Sequence, residues 1–329
     1  MNEQAELLHA ICDDPDDDVV RLVYADWLEE HQQAERAEFI RLQIRLHQMS
    51  PNDPEREALR EHESALLDQY GKGFLAEFPI WARNEVVFER GFVVELVLNA
   101  GHWFEQCATL IRLTPIQRLR LLRVMPPMWG FASCAELQHI RMLDLRNNRI
   151  PATGAERIVN SPHLSNLRGL DLSGNEFREE GIAMLSIAEH WDELESLDLS
   201  SNMISSQASL LLSAPRMKSL HSLRLGGNFL SDRGVIEMTR TPQLTRLRLL
   251  DLSGNGIRDR GAEALADSAF VSGLEQLDLS RNSIRNAGAV ALARSRHLRR
   301  LEALTLWDCD IENEGADALR ERFGDRVVF

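Results

Sequence analysis

Residues 250–257 read LDLSGNGI, and variants of this stretch recur along the chain. A repeat of this length indicates an architecture in which each unit buries its apolar face only by stacking on its neighbours. The sequence therefore predicts a solenoid. The first leucines of the related stretches are Leu143, Leu170, Leu197, Leu223, Leu250, Leu277 and Leu304, a spacing of 27 residues with one step of 26.

Each repeat combines a strand pattern with a helix pattern. The Leu-Asp-Leu segment alternates apolar and polar side chains, which is typical of a short strand with one buried face. An asparagine follows, whose amide can donate to and accept from the turn backbone of neighbouring repeats. Segments such as residues 261–266 favour a helix. The asparagines are Asn148, Asn175, Asn202, Asn228, Asn255 and Asn282, and Cys309 takes this place in a further repeat.

These repeats resemble the leucine-rich repeat family, in particular its long ribonuclease-inhibitor-like type, over residues 96–319. The resemblance implies an α/β fold: a right-handed curved solenoid with parallel strands on the concave face and helices on the convex face. Two degenerate repeats at residues 96–98 and 119–121 lack the asparagine. An irregular loop is expected at residues 126–130, where two prolines occur in succession.

Both edges of the predicted sheet need a cap, because an unpaired edge strand invites aggregation. Residues 85–98 predict two strands joined by a turn at Arg90 and Gly91, a hairpin that would cover the first repeat. Residues 323–329 predict a short last strand at the other edge.

The N-terminal residues predict a small all-helical domain, because apolar side chains recur there at helical spacing. Residues 16–31 and 34–43 resemble a repeat-companion domain, found at the N-terminus of repeat proteins in planctomycete bacteria. That family has no assigned activity, and the resemblance implies a bacterial repeat-bearing protein. Helices are expected at residues 3–12, 17–31, 35–49 and 55–70. The predicted domains are an acidic helical domain (1–72), a capping hairpin (73–95) and the solenoid with its C-terminal cap (96–329).

The charge of the chain is concentrated at its N-terminal end. The 329 residues carry a formal net charge of −14, and residues 1–70 hold 18 acidic and 6 basic side chains, a balance of −12. The repeats are therefore nearly neutral, so we expect no binding to nucleic acid. A protein partner is expected, and a basic one would suit the acidic side chains.

Composition also argues against several other classes of protein. No apolar run approaches the roughly 18 residues of a membrane helix, and the first residues lack the basic and apolar regions of a signal peptide. We therefore expect a cytoplasmic monomer without membrane contact. The four cysteines show no paired spacing and no histidine cluster, so neither a disulfide framework nor a metal site is expected. No cofactor is predicted.

The residues between the two strand leucines are the main candidates for a binding surface, and we call them the central row. They are expected to face solvent on the concave face. One interpretation is that the aspartates belong to the repeat consensus and bond nearby serines and arginines. The other is an acidic surface for a basic partner. The central row consists of Asp144, Asp171, Asp198, Arg224, Asp251, Asp278 and Thr305.

Two apolar side chains flank the central row. Trp307 follows the second leucine of its strand, and Leu249 precedes the first leucine of another. An exposed tryptophan on such a face is typical of a binding hot spot, but the C-terminal cap could equally cover it. Tyr24 and Trp27 in the helical domain are better explained as core residues, because they lie at helical spacing.

The chain contains no nucleotide-binding, metalloprotease or serine-hydrolase motif. No catalytic residue is therefore predicted. We expect a non-enzymatic scaffold or adaptor that binds a partner protein on the concave face. The alternative is an inhibitor or regulator of a partner enzyme, as the resemblance to ribonuclease-inhibitor-like and GTPase-activating leucine-rich proteins implies.

Overall fold

The computed structural model describes residues 3–125, 130–212, 216–241 and 246–329. The chain divides into two compact units, Met1–Arg123 and Val124–Phe329, called unit 1 and unit 2 below. The division at residues 72 and 95 inferred from the sequence stays a prediction. Residues 126–129 of the predicted irregular loop lie outside the described residues, and Gly130 begins a short helix.

Unit 1 begins with four helices, as the apolar spacing predicts. Asp17 caps the second of them, since its carboxylate accepts a hydrogen bond from the backbone N–H of Val19 at 2.8 Å. The predicted hairpin is confirmed, because β1 pairs antiparallel with β2, and β3 then pairs parallel with β2. The elements are α1 (Glu3–Asp13), α2 (Asp18–Glu30), α3 (Ala34–Gln48), α4 (Arg56–Phe74), β1 (Val86–Glu89), β2 (Phe92–Asn99), α5 (Ala100–Leu113) and β3 (Arg118–Leu122).

The helices and the hairpin of unit 1 share their hydrophobic core. Phe92 of β2 packs with Ile11, Tyr24 and Leu28, and Phe88 of β1 packs against a second cluster that contains Phe39. The predicted core role of Tyr24 is confirmed, since only 6% of its surface is exposed. Apolar burial therefore joins elements that are far apart in the sequence.

The hairpin turn depends on a glycine. Gly91 has φ +86°, and a Cβ atom at this position would lie 2.7 Å from the Cα of Ile40 in α3. Only glycine fits both the left-handed backbone and the close approach. The preceding Arg90 is 9% exposed, and its guanidinium donates to the backbone of Pro15 at 2.9 Å and to Asp18 at 3.3 Å. The turn is thereby fixed to the α1–α2 connection.

Unit 2 alternates short strands and helices. All its described strand pairs are parallel and in register. The strands are β4 (Met142–Asp144), β5 (Gly169–Asp171), β6 (Ser196–Asp198), β7 (Ser222–Arg224), β8 (Leu249–Asp251), β9 (Gln276–Asp278), β10 (Ala303–Thr305) and β11 (Val327–Val328). The helices are α6 (Gly130–Ser133), α7 (Ala152–Val159), α8 (Arg178–Leu185), α9 (Ser209–Leu212), α10 (Ser231–Thr239), α11 (Asp259–Asp267), α12 (Asn286–Arg294) and α13 (Asn313–Phe323).

The consensus asparagines link successive repeats, as predicted from their donor and acceptor capacity. Asn202 is fully buried, and its amide nitrogen donates to the carbonyls of Leu172 at 2.9 Å and Leu199 at 3.1 Å. The side-chain oxygen of Asn228 in turn accepts from the backbone of Asn202 at 2.9 Å and of Ile204 at 3.0 Å. The turn backbone is thus satisfied between repeats. We call these side chains the asparagine ladder.

The C-terminal strand was also predicted correctly. β11 pairs parallel with β10, and the N–H of Leu306 donates to the carbonyl of Val328 at 2.8 Å. Together, the parallel strands, the intervening helices and the preceding helical region confirm the α/β leucine-rich-repeat fold class. None of the helices in the described part of the chain is both long enough and apolar enough to span a membrane.

Candidate functional site

The strands of unit 2 place the central row on one face of the sheet, called the strand face below. In β8, Leu250 is buried and Asp251 is half-buried, and Leu252 after the strand is also buried. The central-row residues of neighbouring strands pair with one another from Asp144 through to Thr305. Because adjacent strands lie about 4.8 Å apart, the row is a continuous line of polar side chains.

One oxygen of each aspartate in the row serves the local backbone. The Oδ1 atoms of Asp198 and Asp251 accept hydrogen bonds from the N–H groups two residues later, at 2.9 Å and 2.8 Å. Asp144, Asp171 and Asp278 make the same bond. This contact is an Asx turn, which stabilises the chain where it leaves the strand. The interpretation of the aspartates as part of the repeat consensus therefore explains the contacts of Oδ1. It does not explain why these positions carry a negative charge.

One arginine partly offsets the charge of the N-terminal part of the row. Arg146 donates through Nε to Oδ2 of Asp144 at 2.6 Å, and the same nitrogen lies 3.5 Å from Oδ2 of Asp171. Among the described residues, no ion pair reaches Asp251 or Asp278. Asp251 and Asp278 therefore lack the close ion pair that Asp144 has, while Arg224 lies beside Asp251 on the adjacent strand.

Asp198 lies between these two parts. Burial raises the pKa of its carboxyl group above the usual range, the neighbouring charge of Asp171 raises it further, and hydrogen bonds from Ser200 oppose the shift. Arg224, its partner on β7, also lowers this pKa by its charge. The guanidinium of Arg224 has a long bond of 3.5 Å to the hydroxyl of Ser222. The ionised form of Asp198 is therefore less stable than that of an exposed aspartate.

Trp307 is available at the C-terminal end of the strand face. Its surface is 49% exposed, and β11 beside it does not bury the ring. The guanidinium of Arg281 lies 4.8 Å from the centre of the indole, a distance typical of a cation–π contact. Leu249 is half-buried. Whether these residues bind a partner stays a prediction.

Two exposed apolar residues on the neighbouring turns were missed by the sequence analysis. Phe229 is 66% exposed and Met203 is 37% exposed. They directly follow successive asparagines of the ladder, and the N–H of Phe229 donates to the carbonyl of Ile204 at 2.7 Å. An alignment of the repeats indicates that this position is exposed, because the other repeats carry a polar residue or glycine there. Those residues are Arg149, Glu176, Gly256, Ser283 and Asp310.

The thiols of Cys12 and Cys309 do not suit nucleophilic or metal chemistry. Burial raises the pKa of the Cys12 thiol to about 12. Burial also raises the pKa of Cys309, whose sulfur lies 3.3 Å from the carbonyl of Leu279. Both side chains remain protonated at neutral pH, and Cys309 takes the asparagine position of its repeat as a weak donor.

A family model described as Leucine Rich repeat matches residues 163–186, 243–266 and 274–293. These segments are leucine-rich repeats. Among solved structures, the chain is similar to an internalin from Listeria monocytogenes, with 19% identity and a TM-score of 0.37, over 66% of this chain and 68% of the internalin chain. No curated protein sequence matches significantly. Leucine-rich repeats are typical of protein–protein interaction domains, which is the function class that the repeats of unit 2 support.

Proposed function

We propose that unit 2 is a non-enzymatic interaction module that binds a protein through its strand face. The supporting observation is the row of aspartates whose Oδ1 atoms bond the backbone while the charges of Asp251 and Asp278 face solvent without an ion pair among the described residues. Trp307, at the end of the same face, offers an aromatic anchor beside them.

The partner that fits this surface is a basic protein. An arginine or lysine that approaches Asp251 or Asp278 meets a carboxylate that makes no ion pair in the described part of unit 2, although Arg224 lies beside Asp251 on β7. Electrostatic complementarity of this kind accelerates association and excludes acidic competitors. A cation beside Asp198 would also offset the repulsion from Asp171 that raises the pKa of this group.

The proposal also covers the location of the protein and the roles of its domains. We propose a cytoplasmic monomer, with an N-terminal companion-like domain over residues 1–72 and the repeats as its binding part. The supporting features are the helices α1–α4, which match the predicted positions, and the acidic balance of this segment.

The test separates the charge of the row from its role in the turns. Replacing Asp198, Asp251 and Asp278 by asparagine keeps an acceptor for each turn and removes three charges. A matched control replaces three exposed helix acids of unit 2, Glu156, Glu180 and Glu263, by glutamine. Both triple variants change the net charge equally, so a difference between them reports on the strand face.

Wild type and both triple variants are used as baits in a native lysate, and cross-linking followed by mass spectrometry maps the contact. We expect one partner that binds wild type and the control, is reduced at least about tenfold by the asparagine variant, and cross-links beside the central row. Equal capture by both variants, or cross-links confined to the helices, would overturn the assignment to the strand face.

Trp307→Ala provides a second, uncharged test of the same surface. We expect a loss of affinity of about 2 kcal/mol, because a central aromatic anchor typically contributes this much. Phe270→Ala, on a short turn of unit 2 between α11 and β9, is the aromatic control. An unchanged affinity for Trp307→Ala would remove this residue from the site.

A further inference from the structure

Unit 1 contains a cavity of about 350 Å³ that the proposed function does not use. It lies among α1, α2, α3, α4 and β2. Its walls include the aromatic rings of Tyr24, Phe74 and Phe92, and its rim carries the exposed side chains of Gln33 and Glu77. A concave site of this size, which combines aromatic walls with polar side chains, can accept a small molecule.

Arg36 of α3 lines this cavity, and its guanidinium has no acceptor among the described residues. The Nη1 atom has no solvent contact and no hydrogen-bond partner among the residues that the structure describes. Burial lowers the pKa of Arg36 to about 10, and the charges of Tyr24 and Glu77 act in the opposite direction. The group is therefore fully charged at neutral pH.

Four aromatic rings lie around the guanidinium but offer it no hydrogen-bond acceptor. The Cζ atom of Arg36 lies 4.7 Å from the ring centre of Phe74 and 5.5 Å from that of Phe92. Phe39 and Phe88 contribute similar contacts. Cation–π attraction acts on the faces of the guanidinium plane. The N–H groups point within the plane, where a buried charge needs acceptors to offset its desolvation.

Two buried arginines of unit 1, unlike the partly exposed Arg36, donate to several acceptors. Arg21 donates to the carbonyls of Pro15 at 2.8 Å and Arg90 at 3.2 Å. Arg90 itself donates to Asp16 and Asp18, each at 3.3 Å. Arg21 also lies against Phe92, and Arg21 and Arg90 each leave Nε without a partner among the described residues. Arg36 differs from them in having no acceptor at all among those residues.

We propose that this cavity binds a small monocarboxylate with an apolar body, and that Arg36 holds the carboxylate. A carboxylate accepts charge-assisted hydrogen bonds from a guanidinium, and the side chain of Arg36 is partly exposed although its Nη1 atom has no solvent contact. The aromatic walls suit an apolar body, whereas the nearby acids Glu35 and Glu77 repel a multiply charged phosphate. The site is independent of the strand face of unit 2.

The full-length protein is titrated with phenylacetate and 4-phenylbutyrate by isothermal calorimetry, with phenylacetamide as the neutral comparison. We expect saturable binding of at least one carboxylate. Phenylacetamide should bind at least about tenfold more weakly, because its neutral amide cannot form an ion pair with Arg36. Absence of saturable binding by both carboxylates, or equal affinity for phenylacetate and its amide, would overturn the proposal.

Two kinds of variant locate the site. Arg36→Gln should abolish binding, and Gly73→Leu should do so without touching the arginine. Gly73 lines the cavity, and a Cβ atom there meets nothing within 4 Å, so the new side chain has room to fill the space. Gly71→Leu in the same helix is the control, because Gly71 does not line the cavity. Binding that survives both Arg36→Gln and Gly73→Leu would contradict the assignment.

The same chemistry could come from a free metabolite or from the end of a peptide. Acetyl-Ala-Ala-Phe with a free carboxylate and its C-terminal amide are therefore titrated in parallel. Tighter binding of the free-acid peptide than of phenylacetate identifies a chain terminus as the source, and weaker binding identifies a small molecule. Either order supports the proposal, provided that the amidated peptide binds more weakly than the acid.

Discussion

Asp198 shows how one side chain can stabilise its turn and still carry an unfavourable charge. Its Oδ1 accepts from the N–H of Ser200 at 2.9 Å, while burial and the charge of Asp171 raise the pKa of the carboxyl group. A raised folded-state pKa means that the ionised form is less stable in the folded protein than in the unfolded chain. The structural and electrostatic roles of the residue therefore oppose each other at neutral pH.

Asp198→Asn is expected to raise the melting temperature slightly at pH 7, because it removes the unfavourable charge and keeps the turn acceptor. The folded protein holds its proton more tightly than the unfolded chain, so the penalty is largest above the folded pKa. It disappears as the pH falls below the ordinary aspartate range, near 3.9. Melting curves of wild type and variant between pH 4 and 8 test this. A gain that does not shrink on acidification would contradict the assigned cause.

At the scale of single residues, the sequence predicts the positions that recur in every repeat. It does not predict features that depend on contacts between residues far apart in the chain. The period alone places Asp251 on the strand face and Leu250 in the core. The exposure of Phe229 could have been suspected, since aligned repeats carry polar residues or glycine there. The cavity at Arg36 could not be predicted from the sequence, because it is lined by Phe74 and Phe92, which approach α3 only in the folded protein.

The elements of unit 2 depend on the asparagine ladder more than on their own length. Its strands are mostly three residues long, and α9 has only four residues. Such short elements are marginal in isolation. Hydrogen bonds from one repeat to the next therefore supply much of what fixes each strand and turn. This explains why the asparagine predicts the strand-to-turn boundary better than any local propensity does.

Asn202→Ala is expected to destabilise the protein by about 2–4 kcal/mol, because it leaves the buried carbonyls of Leu172 and Leu199 without their side-chain donor. Urea unfolding followed by circular dichroism measures the change. Asn160→Ala is the control, since Asn160 is exposed at the end of α7 and should change stability by less than about 0.5 kcal/mol. Similar effects of the two substitutions would contradict a special role for the ladder.

At the scale of the whole molecule, the hydrophobic clusters of unit 1 determine which fragments of the chain can fold on their own. Phe92 completes the cluster formed by α1, α2 and α3, and Phe88 packs against the cluster of α3 and α4. Both phenylalanines lie after residue 72. The N-terminal helices therefore bury their apolar faces partly against the hairpin that follows them in the sequence.

A fragment of residues 1–123 is accordingly expected to melt cooperatively, whereas residues 1–72 should retain some helix but melt broadly and bind the dye ANS. Loss of Phe88 and Phe92 removes the side chains that join the helices. Thermal circular dichroism on both fragments tests this. Equal cooperativity would show that the four helices supply a sufficient core by themselves.

The asparagine ladder also determines how the protein could be lengthened. In each rung the backbone N–H of one asparagine donates to the side-chain oxygen of the asparagine on the following repeat, as Asn202 donates to Asn228. Cys309 has a sulfur where the other repeats have this amide oxygen. A duplicated copy of residues 250–276, inserted directly after Gln276, would meet an asparagine on both sides. A copy of the repeat around Cys309 would interrupt the bonding. The protein could therefore be lengthened by inserting copies of an interior repeat. Each inserted copy would also add one aspartate to the central row.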